Sequence, residues 1–292
     1  MIIALLGILG LMLGSFVNAL VWRLHEKEEL SLRLARLKKK LNTKKSEALH
    51  ARLQARSILK GRSMCPHCEH VLAAKDLIPV LSWAALRGKC RYCKAAIAWQ
   101  YPAVELLTAG LFLASYTWWP LDYNSYGLVS FVAWCVVLVG FMALLVYDMR
   151  WMTLPNKIVY PLVAVTALVA ILHVTVYSGG LGALRDYALS LIIASGIFYG
   201  LYELSKGSWI GGGDVKLGLV IGLVVGKPLE ACLVLFFASC IGTIMVIPGM
   251  FTKKLKANSH IPFGPFLIIA TIIVKLFGAG IISWYKKKFL LF

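Results

Sequence analysis

Residues 1–22 read MIIALLGILGLMLGSFVNALVW, a stretch without a single Asp, Glu, Lys or Arg. About 20 apolar residues in a helix cross the hydrocarbon core of a bilayer. A cleaved secretory signal would open on basic residues and close on a small-residue cleavage site, and neither mark is present. The stretch therefore predicts a permanent first span. The remainder agrees, because 60% of the 292 residues are hydrophobic, only 15% are charged, and the mean hydropathy is +0.77. A soluble domain averages about 45–50% apolar and about 25% charged. A cytosolic enzyme, a collagen-like rod and a disordered chain are excluded.

Working outward, further apolar segments fall near 103–120, 128–147, 158–177, 186–204, 217–226, 230–250 and 265–285. The segment at 217–226 is too short to cross unaided. It is either a shallow or tilted helix or one that merges across Lys227-Pro228 with the next, so seven or eight spans are expected and eight is preferred. The formal charge is +18, and 18 of the 31 basic residues lie between Arg23 and Lys94. Lys and Arg stay on the cytoplasmic side of a membrane, which puts the 23–102 loop inside and the N-terminus outside. Arg150, Lys157, Lys206, Lys216, Lys253, Lys254 and Lys256 then also fall inside, whereas Lys286, Lys287 and Lys288 oppose the assignment. In the first part of the loop, Leu30, Leu34, Leu37 and Leu41 recur at helical spacing, followed by Leu49 and Leu53. One or two amphipathic helices are expected there, either lying on anionic lipid or forming a solvated hairpin.

Cys65-Pro66-His67-Cys68 and Cys90-Arg91-Tyr92-Cys93 are two Cys-x-x-Cys knuckles at the spacing of a zinc ribbon. Four thiolates can surround a structural Zn ion, whose binding would fold a loop too small to have a core of its own. Disulfides are the alternative, and a reducing cytoplasm disfavours them. His67 and His70 are substitute ligands, while Cys135, Cys232 and Cys240 read as packing residues within spans. The expected fold class is thus an all-α polytopic membrane protein of about eight transmembrane helices. A small cytoplasmic zinc-binding domain sits between the first two. The expected divisions are a first span at 1–22, a basic helical segment with the four-cysteine domain at 23–102, and a multi-span domain at 103–292.

Acids are sparse beyond the loop, and ionisable groups in or beside spans are functional candidates by default. Asp148 closes the third span, and Asp214 follows Gly211-Gly212-Gly213 at the entrance to the sixth, both on the cytoplasmic side of this topology. The three glycines permit unusual backbone shapes and close approach by another chain. Two carboxyls at a partly dehydrated boundary can share one proton, so that one activates water while the other donates to a carbonyl oxygen. The same acids could instead form a proton or cation relay, or simple ion pairs with Arg150, Lys157 and Lys216. A transporter would favour acids at mid-bilayer and internal repeats, and neither is visible. Nucleic acid is not an expected partner, because the basic loop lacks interleaved aromatic residues on which bases stack.

Several motifs, in order along nearly the whole chain, resemble the bifunctional type IV prepilin peptidases. They are Gly14-Ser15-Phe16-Val17-Asn18, Arg62 through Cys68, Ile78-Pro79-Val80, Leu86 through Cys93, and Tyr101 through Leu107. Asp148 through Asn156, Gly211 through Leu217, and Ile261 through Phe266 complete the set. The resemblance implies an aspartic endopeptidase of the bacterial inner membrane with Asp148 and Asp214 as its catalytic residues. It implies removal of the short basic leader from type IV prepilins and type II secretion pseudopilins on the cytoplasmic side. It also implies N-methylation of the new N-terminus with S-adenosylmethionine. No Gly-x-Gly-x-x-Gly follows a strand, so no pocket for that cofactor is read from the residues. The basic 25–60 insertion exceeds the family pattern and is ill-suited to a basic leader, which leaves Glu26, Glu28 and Glu29 or anionic lipid to receive it.

Overall fold

A helix that begins inside a membrane need not stop at its surface, and α1 does not. In the computed structural model, which describes residues 1–37, 63–177, 180–251 and 261–289, it runs unbroken over Ile2–Leu37. The charged continuation past Trp22 keeps helical form, and Leu30 and Leu34 are buried at the spacing the sequence suggested. The helices expected further along, with Leu41, Leu49 and Leu53, lie outside the described residues, as do Lys253, Lys254 and Lys256. The fold is helical throughout the described residues, with two isolated antiparallel bridges and no strand.

The remaining helices are α2 (Leu81–Ala85), α3 (Gln100–Thr117), α4 (Ser125–Trp151), α5 (Asn156–Thr175), α6 (Gly180–Ser205), α7 (Gly212–Val225), α8 (Pro228–Phe251) and α9 (Gly264–Phe289). The chain divides into two compact units, Met1–Leu113 and Ala114–Phe292. Among the described residues six helices, α1, α4, α5, α6, α8 and α9, are long and apolar enough to cross a bilayer. The expectation of about eight included α3 and α7 as well. Both are helices, but α3 opens on the polar Gln100 and carries Glu105. The 14 residues of α7 extend only about 21 Å at about 1.5 Å per residue, short of the ~30 Å hydrocarbon core. Nor does α7 merge with α8, for Gly226 takes a left-handed φ of 69° and donates its N–H to the Gly222 carbonyl, ending the helix.

Helix α7 is the core of the second unit. It is apolar on every side and buried on every side, packed by α5, α6, α8 and α9. Its contact with α6 depends on small residues. A Cβ at Gly218 would strike the Ala194 carbonyl, and one at Gly222 would stand about 3.0 Å from the Leu191 backbone. This is the small-xxx-small spacing by which membrane helices approach. Opposite Gly218, α6 winds one π-helical stretch over Ile192–Gly196. Ser195 and Ser190 of α6 donate their hydroxyls to the carbonyls of Val215 and Gly222 at 2.9 Å, fixing α7 along its length.

In the first unit α1 and α3 pack through glycines, since a Cβ at Gly14 would stand 2.7 Å from the Glu105 Cα. Asn18 donates to the Tyr101 carbonyl at 3.0 Å. The buried Glu105 carboxylate accepts from the Val80 N–H at 2.7 Å and from the Ser15 hydroxyl. Gly14-Ser15 and Asn18 are therefore the sockets into which the start of α3 fits.

Candidate active site and metal centre

Helix α4 ends where Met152 adopts a left-handed φ of 52° and returns its N–H to the Asp148 carbonyl. That turn leaves Asp148 in the last helical turn, only 4% exposed, with Tyr147 buried beside it. The chain then passes Leu154 and enters α5 at Asn156. On the far side, Gly211 caps α7, and Asp214, the third residue of the helix, donates its N–H to the Gly211 carbonyl at 3.0 Å. A helix N-terminus favours negative charge, which suits an acid in its first turn.

These two ends meet at the start of α9. The Gly264 N–H, one of the donors a helix N-terminus leaves without an internal partner, bonds the Asp148 carboxylate. A Cβ at residue 264 would collide with Asp148 Oδ2, so only glycine admits the carboxylate there. Leu154 lies under both elements, with its side chain 3.2 Å from a Cβ position at Gly213 and 3.6 Å from one at Gly264. The charge of Asp148 is felt at Asp214. Three helix ends thus gather the two carboxyls at one place. The ammonium of Lys216 reaches Asn156 Oδ1 at 2.9 Å.

The glycine run behaves differently from its sequence-level description. None of Gly211, Gly212 and Gly213 has a left-handed backbone. What glycine supplies at residue 213 is room for Leu154, while Gly207, with φ of 76°, makes the turn ahead of the run. Gly264 was part of a sequence motif without an assigned role. Its contact with Asp148 spans more than a hundred residues, and no spacing rule reaches that far.

In the first unit Cys65, Cys68, Cys90 and Cys93 offer four sulfur atoms all within 4.8 Å of one another. A tetrahedral ion with Zn–S bonds of about 2.3 Å sets sulfurs about 3.8 Å apart, and Cys65 and Cys93 are 3.8 Å apart. The donor set and its spacing fit Zn. The two knuckles are local copies of one another, a repeat that residue identity conceals. Glu69 donates its N–H to Cys65 O, and Lys94 to Cys90 O. Cys65 donates to His70 O, and Cys90 to Ala95 O. Glu69 and Lys94 both sit at left-handed φ, 53° and 60°.

Burial would raise the Cys90 thiol, but N–H donors from Cys93 and Tyr92 and the neighbouring thiols bring it down to about 7. At Cys93 the Ala95 N–H favours the thiolate, while desolvation and the thiols of Cys68, Cys90 and Cys65 hold it up at about 11. One thiolate therefore forms readily at neutral pH, and the others need a cation to displace their protons. His70 packs its ring 3.7 Å from Tyr92 instead of joining the sulfurs. Asp76 braces the second knuckle, accepting from Arg91 at 2.6 Å and Tyr92 at 3.2 Å. Burial would raise this acid, yet hydrogen bonds from Arg91, Ala73 and Tyr92 hold it below the ordinary carboxylate value. Of the other cysteines, Cys135 and Cys240 are half-buried, but Cys232 is exposed and does not pack as expected.

Comparison with known proteins adds to this geometry. Residues 8–119 match the Bacterial Peptidase A24 N-terminal domain, and residues 135–247 match the Type IV leader peptidase family. The chain is 33% identical over 234 residues to the prepilin leader peptidase/N-methyltransferase of Bacillus subtilis (strain 168), covering 79% of this chain and 88% of the relative. Against the proteins of the same description from Stutzerimonas stutzeri and Pseudomonas aeruginosa, identity is 30% over 290 residues and 31% over 283. Each of those matches covers 96% of this chain and 92% of the relative. No solved structure matches the chain with significance.

Proposed function

This chain belongs to the type IV leader peptidase family, and from that premise we propose how its residues perform a leader peptidase reaction. The substrate is a prepilin or a type II secretion pseudopilin, the bond cut joins the basic leader to the apolar segment, and Asp148 and Asp214 are the catalytic residues. The observation that carries this reading is the meeting of the two acids at the first turn of α9, where Gly264 holds one of them.

Two acids at close quarters do not both ionise readily, so the pair works with one shared proton. The ionised carboxylate takes a proton from a water molecule as its oxygen attacks the scissile carbonyl carbon. The protonated carboxyl gives its hydrogen to the carbonyl oxygen, forming a neutral gem-diol. A proton then passes to the amide nitrogen as the C–N bond breaks, which releases a carboxylic acid on the leader and an amine on the mature pilin. Neither a metal nor a covalent intermediate takes part in these steps. Gly211, Gly212 and Gly213, without side chains, border Asp214 and leave space for the substrate backbone.

The Zn of the four-cysteine cluster is structural, held by Cys65, Cys68, Cys90 and Cys93, because four thiolates close a tetrahedral ion to further ligands. Methylation of the new N-terminus, an activity in the relatives' names, would use S-adenosylmethionine. The Lys and Arg distribution favours an inner-membrane protein whose cysteine domain and aspartates face the cytoplasm.

The test is to incubate the detergent-solubilised chain with a synthetic prepilin and S-adenosylmethionine and to weigh the product by mass spectrometry. Loss of the leader together with the gain of one methyl group is expected, and an intact prepilin contradicts the proposal. Gly264→Ala tests the carboxylate's seat. The new methyl group pushes Asp148 aside, and displacement of about an ångström in an active site costs about 10²-fold in kcat. Wild-type kcat in this variant would mean that the Gly264 contact does not position the acid.

A further inference from the structure

A second polar constellation lies at the opposite ends of the same helices. Ser130 and Asp148 both belong to α4, about 27 Å apart along its axis at about 1.5 Å per residue. Around Ser130 the ends of α4, α5, α6, α7, α8 and α9 enclose a cavity of about 330 Å³ within the Ala114–Phe292 unit. The leader peptidase reading gives it no task.

Its polar groups are mostly donors in want of an acceptor. Ser130 is 7% exposed, lines the cavity, and its hydroxyl has no hydrogen-bond partner. The indole N–H of Trp119 is also buried without a partner, and its ring lies 5.7 Å from the Lys275 ammonium. Lys275 lines the cavity and spends one of its three N–H donors on the Val224 carbonyl at 2.9 Å. His173, stacked 4.5 Å from Tyr126, stands 3.3 Å from the Tyr187 hydroxyl. The acids are already engaged, Glu230 with Lys227 at 3.7 Å and Asp186 with Arg185 at 3.3 Å. Three cations, Arg185, Lys227 and Lys275, therefore face two acids, and one positive charge is left over.

Buried donors without acceptors are costly and call for an explanation, and a charge within a membrane helix costs more. An anion with a single negative charge answers both. The apolar wall formed by Leu121, Val137, Val169 and Leu223 and the aromatic residues Trp118, Trp119 and Tyr126 belong to a lipid–water boundary. Basic pockets between membrane helices suit lipid headgroups. We propose that this cavity binds the phosphodiester headgroup of a membrane phospholipid, with Lys275, Ser130 and Trp119 as its donors.

The experiment is native mass spectrometry of the full chain, delipidated in detergent and titrated with phosphatidylglycerol, alone and with millimolar inorganic phosphate as competitor. One lipid should bind tightly and resist the phosphate. Lys275→Met should weaken it by about 10–10²-fold and Ser130→Ala by about tenfold, in line with loss of a charged and a neutral hydrogen bond. Thermal melting checks that each variant is folded. Should Lys275→Met unfold, Ser130→Ala, which deletes a single oxygen, carries the test. Lipid retention equal to wild type in a folded variant, or displacement of the lipid by inorganic phosphate, overturns the proposal.

Discussion

Asp148→Asn and Asp214→Asn each insert and melt like the wild type, yet neither removes a leader. This is the outcome the geometry leads us to expect. Asn keeps the volume and can still accept from the Gly264 N–H through its carbonyl oxygen, so the seat at α9 persists. What it cannot do is exchange a proton, and proton transfer in the transition state contributes about 10²–10⁴-fold for each group. Cleavage should therefore fall by about 10⁴-fold or to background in either variant. Two interacting acids release their protons in two macroscopic steps, so wild-type kcat/KM should be bell-shaped in pH, with the singly protonated pair active between them. Full cleavage by both variants would leave the acids with a structural role only. Proton flux in proteoliposomes that depends on Asp148 would favour the transport alternative.

The second large effect concerns the cysteines. Wild-type chain should carry about one Zn, and Cys90→Ser or Cys65→Ser should carry none. Structural Zn contributes about 10–16 kcal/mol in zinc-finger peptides. Nothing of comparable size is present between residues 63 and 99, where the Trp83 indole bonded to the Ile97 carbonyl and the Asp76–Arg91 pair are among the few fixed contacts. The knuckles should accordingly become protease-sensitive in these variants and after chelation. Acid should act in the same direction, since thiolates must be deprotonated to bind metal. The Asp76 contact outlasts them, because its lowered value keeps that stabilisation in place above the ordinary carboxylate range and releases it only as the pH falls further. Elemental analysis finding no metal in native-purified wild type would remove the structural-Zn claim.

Much of this was legible in the sequence because its signals are local. A charge-free run of apolar residues has few alternatives to a span, and two Cys-x-x-Cys pairs have few alternatives to a tetrahedral site. Asp148 and Asp214 stood out as acids where acids are costly. The span count failed for a reason hydropathy cannot see. Helix α7 reads as apolar because it is wrapped by protein, and a helix sheathed by its neighbours looks like one bathed in lipid. The cavity around Ser130 escaped notice for a related reason. Lys275, Trp119 and Ser130 belong to different helices and are unremarkable alone, and only packing makes their donors a group. The likeness of the two knuckles was hidden because Glu69 and Lys94 share a backbone conformation and no chemistry.

The convergence of the two acids is tested most directly by an experimental structure with a prepilin-like peptide in which a hydroxyethylene replaces the scissile amide. The hydroxyl, standing where the attacking water would be, should lie within hydrogen-bond distance of both Asp148 and Asp214. A peptide bound with its hydroxyl touching neither acid, or carboxyls too far apart to hold one oxygen between them, would contradict the account.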